Sequence, residues 1–508
     1  MKIDFSKNTK RNIVSAMLNK CIGLLLPFLN RTLFLWLMGA EYLGLNGLFT
    51  SILGVLALAD LGFGTAVVCS MYKPVADDDR ELVCAYLRFY RKVYRCVGVA
   101  IFVIGLCLLP FLRSLVKGDL PPGLDLHILY IIHLVNTSLG YFLFAYRGSV
   151  LNAYHRGDVM TNIHTFTTVA QYATVFLILF LTRNYYHYVL ATVAFTVVNN
   201  LLVYRESRRL FPEIDPRGEL SEAFRRKVVS DVKSIFMHKV GAVITHQTDN
   251  IVISAFLGLV AVGAYGNYYY VVTAVGGLAW SIYSSMQNGF GNTIFTESKE
   301  ANFERFMRAV RLVLVVIAGC SAMMISLFQP FIEIWTGGRP ELSRHFLTPL
   351  LMVVFFYVYQ SRQTLLTFKA AANLWRNDRW KPLVAGAFNL TVNISLVVFL
   401  PEEYKLDGVI LSTILSFVLI QIPWELHVVF NEFFGRREAS VYRRVQTVSA
   451  LKALAICASA WYVVGLVSMT GAAGFLVKGA VAAAFVAAAL SALFYREISG
   501  LVSRLLKR

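Results

Sequence analysis

Gly39-Ala-Glu-Tyr-Leu-Gly-Leu-Asn-Gly47 lies between two long apolar runs, and Gly258-Leu-Val-Ala-Val-Gly-Ala-Tyr-Gly266 repeats its glycine spacing about 219 residues later. Each stretch sits where one apolar segment turns into the next. Arg156-Gly-Asp158 finds a counterpart in Arg376-Asn-Asp378 at nearly the same offset, and Lys20 maps onto Lys239. Short glycine patterns in apolar sequence arise by chance. Several matches at one offset, each at an equivalent point, instead predict a duplicated architecture.

The surrounding composition says what kind of architecture is duplicated. The 508 residues are 57% hydrophobic and 15% charged, with a mean hydropathy of +0.60. Soluble domains carry about 25% charged residues, so both values point to a bilayer. A spanning helix needs roughly 20 mostly apolar residues. Such runs are expected at 13–38, 42–70, 93–112, 126–147, 159–182 and 187–204, then at 232–257, 263–291, 310–335, 346–369, 382–400 and 407–430. A last pair is expected at 448–467 and 475–494. The reading is an all-α polytopic membrane protein of about fourteen transmembrane helices. Residues 1–204 and 232–430 form two homologous six-helix lobes, 205–231 is a basic cytoplasmic connector, and 431–508 holds the last helix pair and a basic tail. Six is even, so the lobes insert in the same direction, related by an axis along the membrane normal.

The net charge of +18 fits this topology without nucleic acid. With the N-terminus inside, most of the 48 Lys and Arg fall on cytoplasmic loops, as the positive-inside rule requires. Both termini are then cytoplasmic. The seven Cys form no C-x-x-C pair and the nine His no H-E-x-x-H, so metal catalysis has no support. No resident cofactor is expected.

The run Gly39–Phe49, continuing through Ala59-Asp-Leu-Gly-Phe-Gly-Thr65, resembles the first hairpin of Wzx-type polysaccharide flippases. These belong to the multidrug/oligosaccharidyl-lipid/polysaccharide exporter superfamily. The resemblance extends over nearly the whole chain in helix count, loop lengths and duplication. It implies a non-enzymatic flippase of the inner membrane that moves an undecaprenyl-diphosphate-linked oligosaccharide to the periplasmic leaflet. O-antigen, capsule and exopolysaccharide repeat units are the implied cargo. Membrane lipids and other polysaccharide-assembly membrane proteins are the implied partners, and alternating access between the lobes is the implied mechanism.

Such a cargo needs cations at membrane depth. Charges there are costly and usually face a cavity or a partner. Arg31, Arg147, Arg362, Lys20, Lys239 and Lys369 are the substrate-binding candidates, since guanidinium and ammonium groups suit diphosphate oxygens. For Arg147 and Lys369, near helix ends, snorkelling to the interface is an equal alternative. At 1.5 Å per residue, Lys20 and Asp60 both lie about 27 Å from the outer surface on antiparallel neighbours, so a Lys20–Asp60 pair is expected. Asp60 and Asp249 are the ion-coupling or gating candidates; Asp249, near the depth of Arg31, could latch a gate with Arg31 or bind a coupling H⁺ or Na⁺.

Asn389 and Asn393, with other amides and hydroxyls, suit sugar recognition or helix packing. The Tyr265 and Tyr268–Tyr270 cluster suits sugar stacking or an interfacial belt. Pro27 is a candidate hinge in the first helix. Residues 205–231, with Arg225-Arg226-Lys227, read as an amphipathic helix on anionic lipid. Two rivals stand beside the flippase reading. A multidrug cation exporter shares the fold but favours acidic residues, whereas here six intrahelical bases face mainly Asp60 and Asp249. A membrane-embedded polysaccharide polymerase needs a large loop with clustered carboxylates or basic residues on its catalytic side, and none is expected among the outside loops.

Overall fold

The computed structural model describes residues 5–57, 63–294, 296–374, 378, 380–495, 497 and 499. Side chains are described from residue 19 onward, except at 21, 63, 65–66, 223, 227, 229–239, 241–242, 244–246, 278, 281 and 288. Every described element is helical. In chain order these are α1 (Phe5–Leu37), α2 (Ala40–Leu56), α3 (Phe63–Ala76), α4 (Arg80–Leu108), α5 (Leu126–Phe142), α6 (Tyr146–Ala153), α7 (Gly157–Thr182), α8 (Tyr185–Leu210) and α9 (Glu222–Leu257). There follow α10 (Leu259–Thr293), α11 (Lys299–Thr336), α12 (Leu347–Ala371), α13 (Lys381–Phe399), α14 (Lys405–Ser416), α15 (Ile422–Glu432), α16 (Arg436–Gly465) and α17 (Gly471–Leu493).

Local chemistry sets many of the boundaries. Asp79, Asp125, Asn184, Ser221 and Ser298 each accept a hydrogen bond from the first free backbone N–H groups of the helix they precede. The repeated glycines act through backbone geometry. Gly39 (φ 107°, ψ 176°) leads into α2 and Gly258 (φ 90°, ψ 177°) leads into α10, nearly the same left-handed conformation at matching positions. A Cβ on Gly44 would collide with the carbonyl oxygen of Leu259, and one on Gly263 would lie 2.7 Å from that of Ala40. Positions 40 and 259, and 44 and 263, match at the repeat offset, so this close contact is reciprocal.

The chain divides into two compact units, Met1–Gly263 and Ala264–Arg508. In the first, α1 packs on α7, α7 and α5 on α8, α4 on α5, and α2 on α9. In the second, α11 is the central helix and packs against α12, α16 and α17, while α13 packs on α14. Many large apolar side chains are left exposed. Phe166, Leu177, Phe180 and Leu181 lie along α7, and Leu451, Leu454 and Tyr462 along α16. So much exposed apolar surface suits lipid rather than water.

Several boundaries differ from the expected ones. The segment expected at 42–70 carries α2 and α3, and residues 58–62 between them lie outside the described residues. The one at 126–147 is bent by 46° between α5 and α6. The one at 407–430 passes from α14 to α15 through a π-helical turn, Phe417–Gln421. The connector 205–231 is not a separate amphipathic helix. Its residues finish α8, cross a loop at 211–221 and begin α9; Pro212 and Pro216, which lack a backbone N–H and disfavour a helix interior, both fall in that loop. Along the chain the division between the compact units falls between Gly263 and Ala264, not within 205–231. Among the described residues eight helices are long and apolar enough to cross a bilayer, nine if α5 and α6 form one bent span. Fourteen is thus not reached on the described residues.

Candidate functional site

In the second unit five buried charged groups converge. Arg362 on α12 donates to both carboxylate oxygens of Glu425 on α15, Nε to Oε2 at 2.8 Å and Nη2 to Oε1 at 2.7 Å. Lys381, at the start of α13, lies 2.5 Å from Glu425 Oε1 and 3.1 Å from Asp378 Oδ2. Lys369, at the end of α12, also pairs with Asp378. Glu425 and Asp378 are fully buried, and Lys369 nearly so. Three cations share two carboxylates, so the cluster carries a net positive charge while each of its members has an opposite charge beside it. Buried ions are tolerated only with partners and hydrogen bonds of this kind.

Beside the cluster lies a cavity of about 240 Å³ between α10 and α12. Tyr269, Trp280, Phe355 and Tyr359 supply aromatic surface, and Gln360, Gln363 and Thr273 supply amides and a hydroxyl. Phe417 connects cavity and cluster. Its ring lies 5.9 Å from Phe355 and 5.7 Å from Tyr359, and the Arg362 guanidinium sits over it at 5.1 Å. Gly276 allows the Gln360 amide to come close, since a Cβ there would meet Nε2. Aromatic faces beside amide donors and acceptors suit a ring that is apolar on its faces and hydroxylated on its rim.

The first unit arranges its charges differently. Arg147 on α6 is 1% exposed, and it reaches the loop after α8. Nη1 donates to the Ile214 carbonyl at 2.6 Å and Nη2 to Asp215 Oδ1 at 2.5 Å, where Arg208 also donates at 2.6 Å. Burial acts to raise the Asp215 pKa, but the Arg208 and Arg147 guanidiniums outweigh it and hold the carboxyl below its ordinary range. A cavity of about 520 Å³ is lined by Tyr72, Tyr90, Ser149, Asn152, His155 and Met160, among others. Tyr72 and His155 stack in it at 5.4 Å. This volume falls within the roughly 300–1,000 Å³ of small-molecule sites.

The expected site residues are therefore scattered. Arg362 and Lys369 fall in one cluster. Arg147 ties α6 to the 211–221 loop, so neither snorkelling nor an open cavity describes it. Arg31 is half-buried and donates to the Gly263 carbonyl at 3.2 Å. Lys20 is half-buried on α1, and Asp249 is buried on α9 next to Asn250, which bonds Ser51 of α2 at 2.9 Å. Asp60 and the Lys239 side chain lie outside the described residues, and the expected Lys20–Asp60 pair with them. Asn389 binds Ser412 and Thr413, a bond between α13 and α14. The tyrosine cluster divides: Tyr269 lines the cavity, whereas Tyr268 is buried with its hydroxyl on Gln329 and on the Arg344 backbone.

One expectation needs correction. The charge balance of six bases against Asp60 and Asp249 omitted Glu425 and Asp378, which neutralise much of the basic charge in the second unit. Glu425 was visible as an acid inside the run 407–430, and an acid in an apolar segment itself signals a buried partner. Lys381 and Gln360 carried no comparable mark.

No curated protein matches the sequence. Among solved structures, the chain is similar to lipid II flippase MurJ in an inward closed conformation. The TM-score is 0.67 at 17% identity, covering 96% of this chain and 99% of that one. It is also similar to an inward-facing multidrug resistance MATE family transporter of the MOP superfamily, with TM-score 0.58, 16% identity, and 82% and 98% of the two chains covered. A third is a MOP superfamily transporter from Pyrococcus furiosus, with TM-score 0.52, 14% identity, and 83% and 95% covered. At these identities the likeness is one of fold, that of flippases and transporters. The sequence family described as polysaccharide biosynthesis protein matches residues 9–287, more than half the chain. An all-helical, multi-pass membrane chain with this fold and this match belongs to the polysaccharide biosynthesis protein family.

Proposed function

We propose that the protein flips an undecaprenyl-diphosphate-linked oligosaccharide, a repeat unit of O-antigen, capsule or exopolysaccharide, from the cytoplasmic to the periplasmic leaflet. The observation that carries this reading is the second unit's cavity, where Tyr269, Phe355 and Tyr359 stand beside Gln360 and Gln363. Sugar rings stack on such faces and exchange hydrogen bonds with such amides. In this reading the twelve duplicated helices of a fourteen-helix chain alternate access across the inner membrane, and both termini are cytoplasmic. Arg31, Lys20 and Lys239 receive the diphosphate. Arg362 and Lys369 act through the field of their cluster, since each is already paired with a buried carboxylate. Asp249 carries the coupling H⁺ or Na⁺.

The decisive experiment removes the protein from its own cells and identifies the undecaprenyl-linked species that accumulates in the inner leaflet. Accumulation of a complete lipid-linked oligosaccharide, relieved by the wild-type chain and not by Tyr269→Ala with Gln363→Ala, supports the flippase. Altered drug sensitivity without such accumulation would overturn it in favour of a cation exporter.

A further inference from the structure

A third cavity, of about 130 Å³, lies in the first unit where α4 meets the loop before α9. Its walls are Ala85, Arg88, Phe89 and Lys92 of α4, Gly218, Glu219 and Leu220 of the loop, and Arg225 of α9. Three cations from two helices thus face it, against one carboxylate. Arg88 is held in place, donating to the Gly218 carbonyl at 2.8 Å and lying 3.5 Å from Glu219, which is 78% exposed. Gly218 has φ +75°, the left-handed region that lets the loop turn back over α4. Among the described residues Lys92 and Arg225 have no ion-pair partner, unlike Arg226, which pairs with Glu222 at 2.7 Å. The cavity also lies beside the N-terminus of the 36-residue α9, whose dipole favours negative charge.

The rest of α4 explains what kind of anion belongs there. Lys92, Arg95, Val99, Val103 and Leu106 recur at helical spacing on the face that carries Arg88. Val99 and Val103 are each 51% exposed, and Leu106 and Ile104 are exposed beside them. Along one helix face a basic collar therefore gives way to an open apolar stripe, spanning about 21 Å from Lys92 to Leu106 at 1.5 Å per residue. A soluble anion would use the collar alone. A lipid whose head carries a phosphate would use both parts, with its chain along the stripe.

We propose that this cavity binds the phosphate of an anionic membrane lipid, with Arg88, Lys92 and Arg225 on the phosphate oxygens. Arg88 offers the directional fork, while Lys92 and Arg225 add charge from the two sides. Two lipids share this chemistry, an acidic phospholipid and a polyprenyl phosphate. The inference stands apart from the flippase reading, because an acidic phospholipid fills the site whether or not a sugar is moved.

The test is native mass spectrometry of the full chain in detergent, titrated in turn with phosphatidylglycerol, undecaprenyl phosphate and phosphatidylcholine. The expected result is retention of one or both anionic lipids. Lys92→Gln with Arg225→Gln should weaken that retention about tenfold, equivalent to about 1.4 kcal/mol. This pair leaves the Arg88–Gly218 bond intact, so it separates binding from folding, and the melting temperature should match the wild type. Adding Arg88→Gln should weaken retention further. Arg436→Gln with Arg437→Gln, basic residues at the start of α16, should leave it unchanged. Preference for undecaprenyl phosphate assigns the site to a polyprenyl carrier, and preference for phosphatidylglycerol assigns it to the bulk lipid. Equal binding of phosphatidylcholine by the wild type, or unchanged binding by the Lys92/Arg225 pair, would overturn the proposal.

Discussion

Asp158 and Asp378 hold matching places in the repeat, and both are buried, yet they are satisfied in different ways. Asp158 takes its partner from two residues away, Arg156, whose Nε lies 3.0 Å from Oδ1 and whose side chain is 23% exposed. Asp378 takes Lys369 and Lys381, both buried, and through Lys381 is joined to Glu425 and Arg362. One carboxylate closes a local turn. The other belongs to a brace that joins α12, α13 and α15. Duplicated positions can thus keep a residue type while its structural task grows, and the task follows from how far away the partner sits.

Removing a carboxylate from each unit tests this contrast most severely. Glu425→Gln leaves Arg362 and Lys381 buried beside a neutral amide, and losing one partner of a buried pair costs about 3–5 kcal/mol. Asp158→Asn frees only Arg156, which already reaches solvent, so about 1 kcal/mol or less is expected. Thermal unfolding of both variants in one detergent reads the difference directly. Equal losses would break the comparison.

The repeated glycines are the next largest lever, and here the two halves of the repeat should behave alike. Gly44→Ala pushes a methyl into the Leu259 carbonyl, and Gly263→Ala pushes one towards that of Ala40. Backbone cannot yield as a side chain does, so each change should cost about 1–3 kcal/mol. Gly277→Ala, with nothing near its missing Cβ, is the matched control and should be close to neutral. Loss at Gly44 alone would mean that the contact is not reciprocal in energy, whatever its geometry.

The sequence made this part of the fold legible because glycine spacing is a local signal with a backbone meaning. Gly39 and Gly258 match at the repeat offset, and their positive φ values are ones glycine adopts without steric cost. The helical class and membrane setting were equally open, since both rest on composition over hundreds of residues. Pairing was harder to read. Arg362 and Glu425 are 63 residues apart, and Arg147 and Asp215 are 68, with at least one helix between the members of each pair. Depth alone does not say which face of a helix a charge occupies, and so Arg147 was grouped with Arg362 although they do different work. The early start of α9, at Glu222 rather than 232, is hidden for a related reason. Hydropathy marks apolar runs, whereas this helix begins within a basic stretch, after the loop that holds Pro212 and Pro216.

The two large cavities offer a subtler contrast, visible in transport rather than stability. The second unit's cavity presents Tyr269 and Tyr359 beside two glutamines, and the first unit's presents the stacked Tyr72–His155 pair with Asn152 and Ser149. If the amides of the second unit hold sugar hydroxyls, Gln363→Ala should slow flipping about tenfold, equivalent to about 1.4 kcal/mol. Asn152→Ala should leave the rate nearly unchanged. The rate at which a fluorescent lipid-linked sugar becomes accessible on the far side of proteoliposomes distinguishes them. The reverse ranking would move the sugar site to the first unit.

The smallest effect concerns how each unit answers acid. Asp215 is 39% exposed, and two guanidiniums hold its pKa below the ordinary carboxylate value, so the folded state binds its proton less readily than the unfolded chain does. A lowered folded pKa adds stability in full above the unfolded value, about 3.9 for Asp. The contribution then fades as pH falls through the folded value. Solvent screening keeps it small at this exposure, within the about 0–1 kcal/mol of exposed pairs. Wild type and Asp215→Asn should therefore melt a little apart at neutral pH and converge in acid, because the protonated wild type has lost what the variant lacks. The Arg147 bond to the Ile214 carbonyl does not depend on that proton and persists in both. A gap that stays constant from neutral pH into acid would show that Arg147 anchors the loop through the carbonyl alone, with Asp215 contributing shape and no charge.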